Sequence, residues 1–196
     1  MLRDVTKVIG LTGPIGAGKN EVAKILRRHG FFVIDADLVA HDLYSTQSQA
    51  WHELVKCCGS KILNRGGRIN RKKLAEIVFS DKRKLAELDR IIHPYLKEAI
   101  IQIAEKQKAE SRKPIVINAA VLKEIGLLDY VDKVWVVMAS RGTRLKRLVR
   151  SGLSRAEAEK RMRAQASQAE YLKMADVVVQ NEGALAQLKK RIGSLI

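Results

Sequence analysis

Residues 8–20 read Val8-Ile9-Gly10-Leu11-Thr12-Gly13-Pro14-Ile15-Gly16-Ala17-Gly18-Lys19-Asn20, and Val22, Ile25 and Leu26 follow at helical spacing. An apolar run, a glycine-rich turn and an amphipathic helix succeed one another. That order is the setting in which G-x-x-x-x-G-K, fitted here by residues 13–19, forms a Walker A phosphate-binding loop. Glycines let backbone N–H groups turn inward around phosphate oxygens, the helix N-terminus adds a positive dipole, and Lys19 can bridge the β- and γ-phosphates. The implied ligand is a nucleotide, with Gly13, Pro14, Ile15, Gly16, Ala17, Gly18, Lys19, Asn20 and Glu21 as candidate contacts. Asn20 stands where this pattern has a Ser or Thr whose hydroxyl ligates Mg²⁺. An amide oxygen can also ligate a hard cation, which makes Asn20 a candidate but imperfect metal ligand.

Four more apolar runs follow: Phe32-Val33-Ile34, Ile115-Val116-Ile117, Val134-Trp135-Val136-Val137 and Val177-Val178-Val179. Each is nearly uniformly apolar, as in strands buried on both faces, and helical patterns separate them; Leu185, Leu188, Ile192 and Leu195 form the last. The expected fold is α/β: a parallel five-stranded sheet flanked by helices. Between the second and third runs, residues 40–113 lack strand patterns but carry Leu74, Ile77, Val78 and Leu85, Leu88, Ile92 at helical spacing, predicting a helical insertion.

With 196 residues the chain suits one α/β domain and one active site. The longest apolar run, residues 134–139, is far short of the ~20 needed to cross a bilayer, and no apolar leader follows Met1, so the expected location is cytoplasmic. Cys57 and Cys58 are adjacent, a spacing suited to neither a disulfide framework nor a zinc knuckle, and read as reduced packing residues. A formal net charge of +16 attracts polyanions without choosing among them. Ten basic against three acidic residues fall in 141–173. Aromatics, at 5%, do not interleave with that basic segment as stacking platforms would, so specific nucleic-acid binding is not expected.

Asp35-Ala36-Asp37 lies at the carboxyl end of the second run, where ligand crevices open in parallel sheets. Either carboxylate could accept a proton from an attacking hydroxyl, or cap the helix that begins near Leu38; one can cap while the other works.

Seven segments in order carry a resemblance. They are Gly10-Leu11-Thr12-Gly13 with the phosphate loop, Val33-Ile34-Asp35-Ala36-Asp37, residues 71–79, Ile92-His93-Pro94, Arg144-Leu145-Lys146-Arg147, Arg161-Met162-Arg163-Ala164-Gln165, and Ala175-Asp176-Val177 with Asn181-Glu182-Gly183. Together they resemble the motifs of dephospho-coenzyme A kinases over nearly the whole chain. The resemblance implies a P-loop kinase with strand order 2-3-1-4-5 that uses ATP and Mg²⁺ to phosphorylate the ribose 3′-hydroxyl of dephospho-coenzyme A. It implies a nucleotide core of 1–39, 114–140 and 174–196, a helical acceptor domain of 40–113 and an arginine-rich lid of 141–173. Asp37 would be the base and Lys19 the phosphate ligand. Arg147 and Arg161 would act from the lid, with Arg144 beside them. Arg71, His93 and Pro94 would lie on the acceptor side, and Asn181 and Gly183 near adenine. A second departure is Asn118-Ala119-Ala120-Val121-Leu122, where the family usually shows an acidic residue and then Pro-Leu-Leu. A nucleoside monophosphate kinase-like enzyme and a catalytically weakened nucleotide binder remain the alternatives. A GTPase is disfavoured because the chain has no Asn-Lys-x-Asp sequence.

Overall fold

Burial of the apolar runs organises a sheet with helices on both sides. The computed structural model describes residues 7–46, 48–79 and 81–196, without the side chains of Arg71, Phe79 and Lys82. Five strands, β1 (Val8–Thr12), β2 (Phe32–Asp35), β3 (Ile115–Asn118), β4 (Lys133–Met138) and β5 (Val177–Gln180), form one parallel sheet in the order β2-β3-β1-β4-β5. Side-chain alternation divides the core. Ile9 and Leu11 of β1, Val116, and Trp135 with Val137 pack on one face, while Ile115, Ile117, Val134, Val136 and Met138 pack on the other.

The first face is covered by α1 (Lys19–Arg28) and α9 (Leu185–Gly193), through Val22, Ile25 and Leu26 and through Leu188 and Ile192. Leu195, expected to continue the last helical pattern, lies beyond the end of α9 and is exposed. Uniform burial of all five strands is also corrected. In the observed order β2 and β5 are edge strands, and of β5 only Val179 is buried. An edge strand has one neighbour, so its outer side chains reach solvent whatever their polarity.

Residues 40–113 are helical as expected: α2 (Ala36–Asp42), α3 (Gln49–Cys58), α4 (Arg71–Phe79) and α5 (Lys82–Glu110), with a 3₁₀ turn and one isolated bridge, Leu63 with Ile69. Both cysteines are free in α3, and burial with the neighbouring Cys58 and Glu87 pushes the Cys57 thiol up to about 12. Pro94 sits inside the 29-residue α5, although a proline ordinarily marks a helix boundary. A proline there costs ~3 kcal/mol or more through its lost hydrogen bond and ring clash. Burial of Ile91, Ile92, Leu96 and Ile100 on the same helix, at ~1.5–3 kcal/mol for each side chain, outweighs that cost.

Past β4 come α6 (Arg141–Arg150), α7 (Arg155–Arg163) and α8 (Gln168–Lys173), N-capped by Ser140, Ser154 and Ser167. The last two are full capping boxes with Glu157 and Glu170. No described helix is long and apolar enough to cross a membrane.

Candidate active site

Parallel pairing places all five strand ends on one edge of the sheet, and the register aligns Leu11 of β1 and Asp35 of β2 with Asn118 of β3. Beyond Thr12 the chain turns sharply through Gly13, Gly16 and Gly18 before entering α1 at Lys19. Gly18 is in the left-handed region, with φ 99°, and a Cβ there would lie 2.3 Å from the Asn181 Nδ2. No side chain caps α1. Among the described residues, the backbone N–H groups of Gly16, Gly18, Lys19 and Asn20 meet no acceptor, which leaves an anion cradle at the helix start.

The cradle is pinned from behind. Arg147 donates to the carbonyls of Ala17 (3.2 Å), Gly16 (3.4 Å) and Asn181 (2.8 Å). Buried Asn181 donates through Nδ2 to the Ala17 carbonyl at 2.8 Å. Gln165, after α7, accepts from the Ile15 N–H at 2.7 Å. Lys19 Nζ donates to the Gly13 carbonyl at 2.8 Å. Burial lowers the Lys19 ammonium to about 8, and the Asp37 charge partly offsets that fall.

In front of the cradle lies a cleft of about 470 Å³ whose walls include Gly18, Lys19, Asn20, Asp37, Asn118 and Arg147. The two aspartates divide their duties. Asp35 Oδ1 accepts from the Asp37 N–H at 3.0 Å and so caps α2, while the Asp37 carboxylate faces the cleft. Asn118 Nδ2 donates to Asn20 Oδ1 (3.0 Å) and Asp35 Oδ2 (3.4 Å). Asn118 Oδ1 is buried without a partner among the described residues. A cavity of similar volume at the opposite edge, lined by Ile9, Phe31, Trp135 and Val177, is mainly apolar and has no phosphate-binding loop.

The expected residues are thus gathered unevenly. Lys19, Asn20, Asp37 and Arg147 share the cleft with the loop backbone. Arg161 is exposed on α7, outside the cleft walls. His93 lies 3.7 Å from Asp89 within α5, and neither it nor Pro94 lines the cleft. The Arg71 side chain lies outside the described residues. Gly183 borders a separate hollow with Gln187 and Arg191. Asn181 turns its side chain inward to the loop. Gln165 is a functional residue that sequence reasoning does not reach, because its bond to Ile15 spans 150 positions and has no local signal. Asn118 as a hub was also missed, although its place at the end of β3 beside Asp35 follows from parallel pairing.

The dephospho-CoA kinase family model matches residues 7–187. The chain belongs to the dephospho-CoA kinase family. A relative in Geobacter sulfurreducens named dephospho-CoA kinase is 41% identical over 190 residues, covering 94% of each chain. One in Carboxydothermus hydrogenoformans is 37% identical over 193 residues, covering 98% of this chain and 94% of its own. Among solved structures, dephospho-CoA kinase from Campylobacter jejuni superposes with a TM-score of 0.73 at 26% identity, over 96% of this chain and 94% of that one. Shikimate kinase from Acinetobacter baumannii, at TM-score 0.53 and 18% identity over 98% and 93%, shares the fold alone. The chain is therefore a kinase with the P-loop architecture.

Proposed function

We propose that this protein transfers the γ-phosphoryl group of ATP to the ribose 3′-hydroxyl of dephospho-coenzyme A, giving coenzyme A and ADP, in the cytoplasm. The observation that carries the reading is that the Asp37 carboxylate shares one cleft with the Lys19 cradle and acts electrostatically on Lys19, within a chain that matches this family nearly end to end. Asp37 accepts the hydroxyl proton as the 3′-oxygen forms its bond to the γ-phosphorus. The bond from that phosphorus to the bridging oxygen breaks, and ADP leaves with the electron pair. Lys19 and the loop N–H groups hold the phosphates where negative charge develops. Residues 40–113 receive the acceptor, with Arg71, His93 and Pro94 on that side. Residues 141–173 form the lid, from which Arg161 approaches the phosphates while Arg147 braces the loop. Asn181 supports the adenine side from within, beside Gly183.

The cleft fits Mg²⁺ without a dedicated cage. No group of three His, Cys, Asp or Glu side chains suited to a metal occurs among the described residues. Hard oxygens are present, however, in the Asp37 carboxylate and the partnerless buried Asn118 Oδ1, and Mg²⁺ keeps much of its water and binds through few protein ligands plus phosphates. These two residues would hold it, and when bound it neutralises phosphate charge. The test is product analysis after incubation with ATP, Mg²⁺ and dephospho-coenzyme A. A single added phosphoryl group removable by a 3′-nucleotidase is expected; phosphate at another position, or ATP consumed without a phosphorylated acceptor, would overturn the proposal.

A further inference from the structure

The residue that breaks the phosphate-loop pattern is oriented by its neighbours. A carboxylate only accepts hydrogen bonds, so Asp35, whose Oδ1 already takes the Asp37 N–H, requires Asn118 to turn Nδ2 toward its Oδ2. The same Nδ2 lies 3.0 Å from Asn20 Oδ1, so the Asn20 oxygen is drawn toward β3. Its Nδ2 is left with no acceptor among the described residues, on a side chain that is exposed and lines the cleft beside Lys19. An amide nitrogen has no lone pair to give a cation, but it donates two hydrogen bonds. Its surroundings, the open N–H groups of the helix start and the Lys19 ammonium, all favour an anion.

We infer that Asn20 is a phosphate-binding residue, donating its amide N–H to an oxygen of the nucleotide's β- or γ-phosphate, and not a metal ligand, and that Asn118 is the positioning residue that sets this orientation. The inference rests on the reading of the loop as the nucleotide cradle. It joins the two departures at Asn20 and Asn118 into one change. An acid at position 118 could only accept; Asn20 would then donate to it and turn its oxygen into the cleft. With an amide at 118, the oxygen is engaged and the nitrogen faces the phosphates. Part of the grip on ATP is thereby independent of the metal.

Calorimetric titration of the full chain with ATP, in EDTA and in excess Mg²⁺, separates the roles. Asn20→Ala is expected to raise the Kd about tenfold in both conditions, the scale of one lost hydrogen bond to a charged acceptor. An unchanged Kd in EDTA with a loss only in Mg²⁺ would make Asn20 a metal ligand and overturn the inference. Asn20→Asp, equal in shape but with no donor, is expected to bind more weakly in both; tighter binding in Mg²⁺ would also overturn it. Asn118→Ala, which removes the Nδ2 donor without adding charge, is expected to weaken binding in EDTA when Asn20 is present and to add nothing in the Asn20→Ala background, whereas an equal effect in both backgrounds would remove Asn118 from the positioning role. Lys19→Ala keeps the two levels apart. If it weakens ATP in EDTA while Asn20→Ala does not, only this inference fails; if it does not, the cradle reading fails as well. Thermal unfolding of each variant confirms that the fold is retained.

Discussion

The phosphate loop and helix α7 both carry residues assigned to phosphates, yet they are secured in different ways. The loop is tied by hydrogen bonds from Arg147 and Asn181 and by one from the Ile15 N–H to Gln165, partners remote in sequence and half-buried or, for Asn181, buried. Helix α7 buries only Ala158 and is otherwise laced by ion pairs in which Glu159 meets Arg141, Arg155 and Arg163 at 3.3–3.9 Å, all three arginines exposed. Exposed pairs contribute ~0–1 kcal/mol each, whereas a hydrogen bond from a charged donor to an inner carbonyl contributes ~1.5–3 kcal/mol. The cradle is therefore set before nucleotide arrives. Helix α7, fixed mainly by such exposed pairs, can bring Arg161 toward the cradle at small cost while Arg147 stays on the loop, and we propose that it does so when both substrates are bound.

If that contrast is right, variants on the two sides fail differently. The largest effect is expected from the lid: Arg161→Ala should lower kcat about 100-fold, the scale of one donor that stabilises transition-state charge, with Tm and ATP affinity unchanged. Stopped assays alongside thermal melts would show this, and a Tm drop matching the loss of activity would assign Arg161 a structural role. On the cradle side, Arg147→Ala should raise the KM for ATP about tenfold and lower Tm by about 5 °C, because its three carbonyl partners lose their donor together. An unchanged Tm would show that the loop is not braced from behind.

The smallest effect concerns stability and pH. Burial holds Lys19 near 8 in the folded protein against 10.5 unfolded, so between these values the unfolded chain binds more protons and folding strengthens as pH rises. Below about 8 the buried charge is at its full cost. Lys19→Met should thus melt higher than the wild type at pH 7, with the gap narrowing toward pH 10. A gap independent of pH would mean that the ammonium is not under strain and that the cradle does not sacrifice stability to hold phosphate.

Legibility in the sequence followed locality. The five strands could be read because each is a short apolar run between helical patterns, and the loop because glycines and lysine are contiguous. Asp35 and Asp37 were separable only as alternatives, since the choice between capping and facing the cleft depends on how β2 meets β3. Pro94 gives a local signal against the helix that holds it, because a proline ordinarily marks a boundary and burial along α5 overrides that preference. The Asn118–Asn20 contact joins positions 98 apart and exists only once β3 lies beside β1.

The central claim is that this cleft phosphorylates dephospho-coenzyme A. It is tested most directly by kcat/KM for ATP-dependent phosphorylation of dephospho-coenzyme A, AMP, CMP and shikimate under identical conditions. The account predicts that dephospho-coenzyme A is preferred by at least ~100-fold, as expected when a site built to pair a substrate's polar groups meets acceptors that leave them unpaired. Faster turnover of any of the other three would contradict it.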